Sequence, residues 1–164
     1  MTIGYLALVA PDALPACRSV HGAREVTSLA DLDRVLRSTC SSTSTSLDLY
    51  GHATRGHNHL RIGRDVIDTL DPRVASCFAT LLTDGVLSRA GIVQLRMLGC
   101  STAIGPAARA SLARLARITG VPVVGTRRAL LAAHHGPDGF RPEFARVLET
   151  FAPVARGRLA TPRR

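Results

Sequence analysis

Ser46-Leu-Asp-Leu-Tyr-Gly-His52 and Ile92-Val-Gln-Leu-Arg-Met-Leu-Gly-Cys100 decide how this chain is read. Each is a short apolar run that stops at a glycine, and each glycine is followed by a reactive side chain. Runs of this length and β-branched or Leu-rich composition fit strands buried on both faces of a parallel sheet. If the two are neighbours, an imidazole and a thiol emerge at one sheet edge, the edge where open α/β sheets place their chemistry.

The elements around them alternate in the same sense. An apolar run at 3–10 reads as the first strand, followed by a Pro- and Gly-punctuated loop to Gly22. Ser28 is placed to cap a helix that carries Leu29, Leu32, Val35 and Leu36 on one face. The Ser/Thr-rich stretch 38–46 reads as an exposed connector, and 60–67 alternates like a small hairpin. Asp71-Pro72 opens a second helix, with proline at its first position. A third helix is expected over Pro106–Thr119, a short strand over 121–125, a loop over 126–139 and a last helix over Pro142–Phe151. Strands separated by helices predict an α/β fold, a three-layer α/β/α sandwich on a mainly parallel sheet. Residues 1–151 form its single domain, and an Arg-rich tail occupies 152–164.

Composition narrows the function. With 164 residues, 46% hydrophobic, the chain can bury a core, and no apolar run approaches the roughly 18 residues that cross a bilayer. The start lacks the basic segment of a signal peptide, so the expected location is the cytoplasm and no membrane partner is expected. The net charge of +9 is carried by arginine alone. Only four Phe and two Tyr are present, and they do not interleave with the arginines as a base-stacking surface requires, which argues against nucleic acid. Cys17, Cys40, Cys77 and Cys100 have neither CxxC spacing nor the density of a disulfide scaffold. Each is weighed as a free thiol, and only Cys100, at a strand end, stands where a nucleophile belongs.

Cys100 and His52 therefore suggest a nucleophile and its base, with the helix after Cys100 supplying N–H groups and a favourable dipole. The motifs resemble a family. Strand-Gly-His52, roughly 50 residues before strand-Leu-Gly-Cys-Ser-Thr-Ala103, is the interval seen in caspases. Gly120-Val-Pro-Val-Val-Gly-Thr126 is similar to the strand that follows in such proteins. Together they resemble the caspase-like (clan CD) cysteine peptidases, and within them the bacterial caspase-HetF-associated (CHAT) branch.

That resemblance implies a caspase-like fold over about 1–150 and a cysteine endopeptidase with catalytic His52 and Cys100. It also implies an oxyanion hole from the N–H groups of Ala53 and Cys100, with a protein or peptide substrate and no cofactor or metal. Ala53 stands where these families usually place glycine. A bacterial defence or signalling role and an activating partner protein would go with the resemblance, and a catalytically inactive interaction or scaffold module is the alternative. For substrate recognition, Asp12 would favour a basic side chain and Arg127 and Arg128 an acidic one, and the choice stays open.

Two rival sites share these residues. Gly99-Cys-Ser101-Thr-Ala103 also reads as a nucleophile elbow at Ser101, but His134 and His135 precede Asp138, against the order that elbow requires. His52, His57, His59 and Cys100 are a conceivable ligand set, without the spacing of a known zinc site; an exposed polar loop accounts for His57 and His59.

Overall fold

A computed structural model describes residues 4–153. The expected tail lies outside the described residues from position 154 onward. The strands are β1 (Gly4–Val9), β2 (Arg24–Glu25), β3 (Thr45–Tyr50), β4 (His52–Ala53), β5 (Leu60–Ile62), β6 (Asp65–Val66), β7 (Ile92–Leu98), β8 (Val123–Thr126), β9 (His135–Gly136), β10 (Gly139–Phe140) and β11 (Leu148–Phe151). The α-helices are α1 (Leu29–Arg37), α2 (Pro72–Thr83), α3 (Val86–Arg89) and α4 (Pro106–Thr119).

Six strands make one sheet in the order β11-β8-β7-β3-β1-β2. All neighbours are parallel except β11, which runs antiparallel to β8. The α/β class and the mainly parallel sheet thus agree with the sequence. Alternation explains the unbroken apolar runs. Leu6 and Leu8 of β1, Leu47 and Leu49 of β3, and Leu95 and Met97 of β7 meet the helices, through Leu32, Leu36, Phe78, Leu81, Leu112 and Leu115. Ala7, Val9, Tyr50 and Leu98 face the other way, onto Ala13, Cys17, Val20, Phe140 and Val147.

The two covering layers differ. All four α-helices contribute to the first core, whereas the second is closed by 3-10 helices at Pro11–Cys17 and Pro142–Val147 and by the β9–β10 hairpin. Connections that step from β3 to β7 and from β7 to β8 use helices of the first layer; the step from β1 to β2 goes the opposite way and uses the 3-10 helix of the second. One crossover hand requires that change of face.

Several boundaries need correction. Pro142–Phe151 is not a helix: six residues of 3-10 helix lead into β11, because Val147 turns into the second core and 148–151 pair along the edge of β8. The connector 38–46 is exposed only in part, since Thr45 and Ser46 already lie buried in β3. The short helix α3 has no counterpart in the sequence reading. The capping expectations agree: the Ser28 hydroxyl accepts from Asp31 N, and the Asp71 carboxylate accepts from Arg73 N at 2.8 Å behind Pro72.

Among the described residues no helix is long and apolar enough to cross a membrane.

Candidate active site

The side chains that matter gather at the carboxyl ends of β1, β3 and β7. The crossovers diverge between β1 and β3, since β1 leads outward to β2 while β3 leads to β7 and β8. A crevice at such a point is where doubly wound sheets bind ligands. Here the crevice is bridged: His52 Nε2 lies 3.2 Å from the carbonyl oxygen of Asp12, in the segment that follows β1. His52 and Cys100 both line a cleft of about 60 Å³, along with Cys17, Tyr50, Leu98 and His135. The strand register explains the convergence. Tyr50 pairs with Leu98 across β3 and β7, so the chain leaves both strands at the same level of the sheet, two residues before His52 and Cys100.

The two glycines are required by close approach rather than by a left-handed backbone. A Cβ on Gly51 would stand 2.1 Å from the carbonyl oxygen of Arg61, and one on Gly99 would meet Leu60 and the carbonyl oxygen of Gly51 below 3.0 Å. Glycine lets β4 and β5 fold over the strand ends.

The turn after Cys100 is latched to β8. Thr102 N donates to Thr126 Oγ1 at 3.1 Å, Thr126 N returns a bond to Thr102 Oγ1 at 3.0 Å, and Ala103 N donates to Thr126 O at 2.8 Å. Thr126 Oγ1 also donates to Gly99 O. The Cys-Ser-Thr-Ala and Gly-Thr motifs thus interlock directly, with Thr102 and Thr126 buried. Ser101 takes a φ of 61°, a left-handed conformation uncommon for a residue with a Cβ, and its N–H donates to Arg128 O at 3.0 Å. Ser101 is outside the residues that line the cleft, so the elbow reading gains no support from position.

One expectation about Cys100 needs correction. It does not sit in the first turn of α4: residues 101–105 intervene, and a helix dipole acts mainly within its end turn. The groups near Cys100 are those of the turn itself and the loop after β8, where Leu130 O lies 3.9 Å from its sulfur.

Ala53 keeps its N–H without strain, since its φ is not positive. Thr54 N bonds His59 O at 2.8 Å. With antiparallel alternation, this puts Ala53 and Leu60 in a non-hydrogen-bonded pair, so the Ala53 N–H turns away from β5.

The chain matches no protein-family model and no curated protein sequence.

The substrate-binding candidates fall outside the cleft. The Asp12 carboxylate is tied to Arg61 at 2.6 Å, and Arg127 and Arg128 line a separate depression of about 350 Å³ with Arg146. Among the described residues no three His, Cys, Asp or Glu side chains converge as a metal site. His57 is exposed, but His59 is buried and lies 3.8 Å from Asp68, which corrects its assignment to an exposed loop.

The other cysteines differ from Cys100. Burial pushes the Cys17 thiol up to about 11, so it stays protonated at neutral pH. Burial also raises Cys77, which packs partly against the first core, and Cys40 is exposed.

Under the cleft lies a charged network that sequence reading missed. Asp48 and Arg96 are cross-strand partners on β3 and β7, joined by Arg96 Nε to Asp48 Oδ1 at 2.6 Å and by a second bond from the same guanidinium. Ser46 Oγ donates to Asp48 at 2.8 Å, and the guanidinium lies over the Phe140 ring. Burial raises the Asp48 carboxyl, against the lowering pull of Arg96, Ser46 and Tyr50. The Tyr50 hydroxyl acts on Asp48 through proximity but lacks hydrogen-bond geometry to it. An aspartate at the centre of one apolar strand and an arginine at the centre of the other were the available signal.

His135 gives a pH-dependent prediction. It is 4% exposed, and burial, then His134 and Arg96, lower it from 6.5 to about 4. Between those values the unfolded chain binds the proton that the folded ring refuses, so stability falls as pH drops from about 6.5 to about 4. The loss is at most roughly 3 kcal/mol. The raised Asp48 acts with the opposite sign, so the informative quantity is the difference from His135→Gln. Urea unfolding across this range should show a steeper acid loss in the wild type; identical profiles would contradict the burial of a neutral ring.

Proposed function

We propose that the protein is a caspase-like cysteine endopeptidase, with Cys100 as nucleophile and His52 as general base and acid. The observation that carries this reading is that the two residues reach one cleft from the carboxyl ends of adjacent parallel strands. The fold and the interlocked Cys-Ser-Thr-Ala and Gly-Thr motifs support it.

With Nε2–H donating to Asp12 O, the neutral His52 ring keeps its lone pair on Nδ1. Nδ1 takes the Cys100 thiol proton as the sulfur attacks a peptide carbonyl. The Asp12 carbonyl holds the resulting imidazolium in place, as the carboxylate does in other nucleophile–histidine sites. The oxyanion of the tetrahedral intermediate accepts from the N–H groups of Ala53 and Cys100. Collapse breaks the C–N bond, the amine leaves with the proton from His52, and a thioester remains on Cys100. His52 then deprotonates a water that attacks the thioester, releasing the acid and restoring the thiol. No cofactor enters this cycle.

Incubation of the full chain with a library of unmodified peptides, read by mass spectrometry, tests the reading. Internal cleavage with a recurring residue on the acyl side is the expected result. Recovery of the library intact would reject a peptidase and favour an interaction module on the same fold.

A further inference from the structure

Asp12 is held at two points. Its carbonyl oxygen lies 3.2 Å from His52 Nε2, and its carboxylate accepts from the Arg61 guanidinium at 2.6 Å. Both partners come from one small ribbon, because His52 of β4 and Arg61 of β5 are paired across the antiparallel strands. Directly opposite residues of such a pair put their side chains on the same face. The imidazole and the guanidinium therefore meet the segment after β1 from one side, and the three residues together bridge the crevice between β1 and β3.

The sequence prepares the carbonyl for this contact. Asp12 lies in the first turn of the 3-10 helix Pro11–Cys17, where a carbonyl accepts from the N–H three positions on. Three positions after Asp12 stands Pro15, which has no N–H. The donor that a 3-10 helix would use on Asp12 O is missing, and His52 supplies one in its place.

From this geometry we propose that Arg61 and Asp12 are positioning residues for His52: the ion pair fixes the segment that carries the Asp12 carbonyl, and the carbonyl fixes the imidazole. This rests on the Cys100–His52 reading. With Nε2–H committed to Asp12 O, Nδ1 is the nitrogen that receives the Cys100 proton, and the ring cannot turn over without breaking its bond. The two side chains are 47% and 38% exposed, and an ion pair so open to water adds little to stability by itself. Its effect should appear in the chemistry of the ring, not in unfolding. Asp12 thereby acts on the histidine and not on a basic substrate residue, the role its charge suggested.

The test compares the rate at which iodoacetamide alkylates Cys100, with Cys40 as reference, in the wild type, Arg61→Met, Arg61→Lys, His52→Ala and the double variant of His52→Ala with Arg61→Met. The Cys100 sulfur displaces iodide to form a thioether, and the thiol proton passes to His52. Arg61→Met should slow Cys100 by about tenfold, short of the ~10²-fold that an ångström of misplacement can cost. Arg61→Lys should recover most of that rate, because among the described residues one N–H···O bond joins the pair, and an ammonium can make it. Once His52 is alanine, removing Arg61 should make no further difference, since residues that act through one ring are not additive. Nitrogen NMR of the neutral His52 ring should show one Nε2–H tautomer in the wild type and a mixture in Arg61→Met. An unaltered rate and tautomer in Arg61→Met, beside a slowed His52→Ala, would overturn the positioning role and leave the dyad standing. So would an equal loss from Arg61→Met with and without His52, which would mark a contribution to the fold alone. If His52→Ala itself leaves Cys100 at the wild-type rate, the dyad reading falls and the positioning role with it.

Discussion

Cys100→Ala should lower peptide cleavage by about 10³-fold or more, and His52→Ala by a comparable factor, because the thiol and its base act as one unit. For the same reason the double variant should be no worse than Cys100→Ala alone. The fold should persist, since Cys100 is only partly buried and, among the described residues, the one contact of hydrogen-bond type made by its thiol is a long approach to Leu130 O. Circular dichroism would check that. Cleavage by Cys100→Ala at the wild-type rate would assign the activity elsewhere, and additive losses would mean that the two residues serve separate steps.

Arg96→Met is expected to have the largest effect on stability. It leaves the fully buried Asp48 with Ser46 and a non-bonded Tyr50 hydroxyl for company. Removing one partner of a buried pair costs about 3–5 kcal/mol, whereas replacing both by apolar groups is often neutral or stabilising. Asp48→Leu with Arg96→Met should therefore recover most of the loss. Urea unfolding measures both, and a single-variant loss below about 1 kcal/mol would mean that the pair carries little weight.

The parts of the fold that could be read from sequence are those set by local pattern. The runs 46–50 and 92–98 are apolar on both faces because both faces are covered, and capping at Ser28 and Asp71 depends on residues a few positions away. What escaped depends on distant neighbours. Residues 142–151 carry apolar positions compatible with a helix, but the free edge of β8 captures 148–151 as a strand. The stretch 126–139 has no periodicity, and its hairpin brings His135 to Tyr50 only through the fold.

The candidate site divides in the same way. His52 and Cys100 were legible because strand ends are punctuated by glycine, and the close contacts at Gly51 and Gly99 give that punctuation a packing cause. Asp12 and Arg127 were chosen for their charge. The structure engages Asp12 with Arg61 and directs the Arg127 guanidinium to the Arg146 carbonyl oxygen, arrangements that no short motif encodes. Cys17 does not stand at a strand end, and its raised proton affinity keeps it protonated, although it forms part of the cleft wall.

The dyad itself is tested most directly by the rate of alkylation of each thiol with iodoacetamide, resolved by peptide mass spectrometry, in the wild type and in His52→Ala. Cys40 is exposed and serves as the internal reference. If His52 takes the proton from Cys100, the wild type should modify Cys100 faster than Cys40. His52→Ala should then slow Cys100 by about a hundredfold or more, the low end of general-base effects, and leave Cys40 unchanged. Equal Cys100 rates in the two proteins would contradict the pairing of His52 with Cys100.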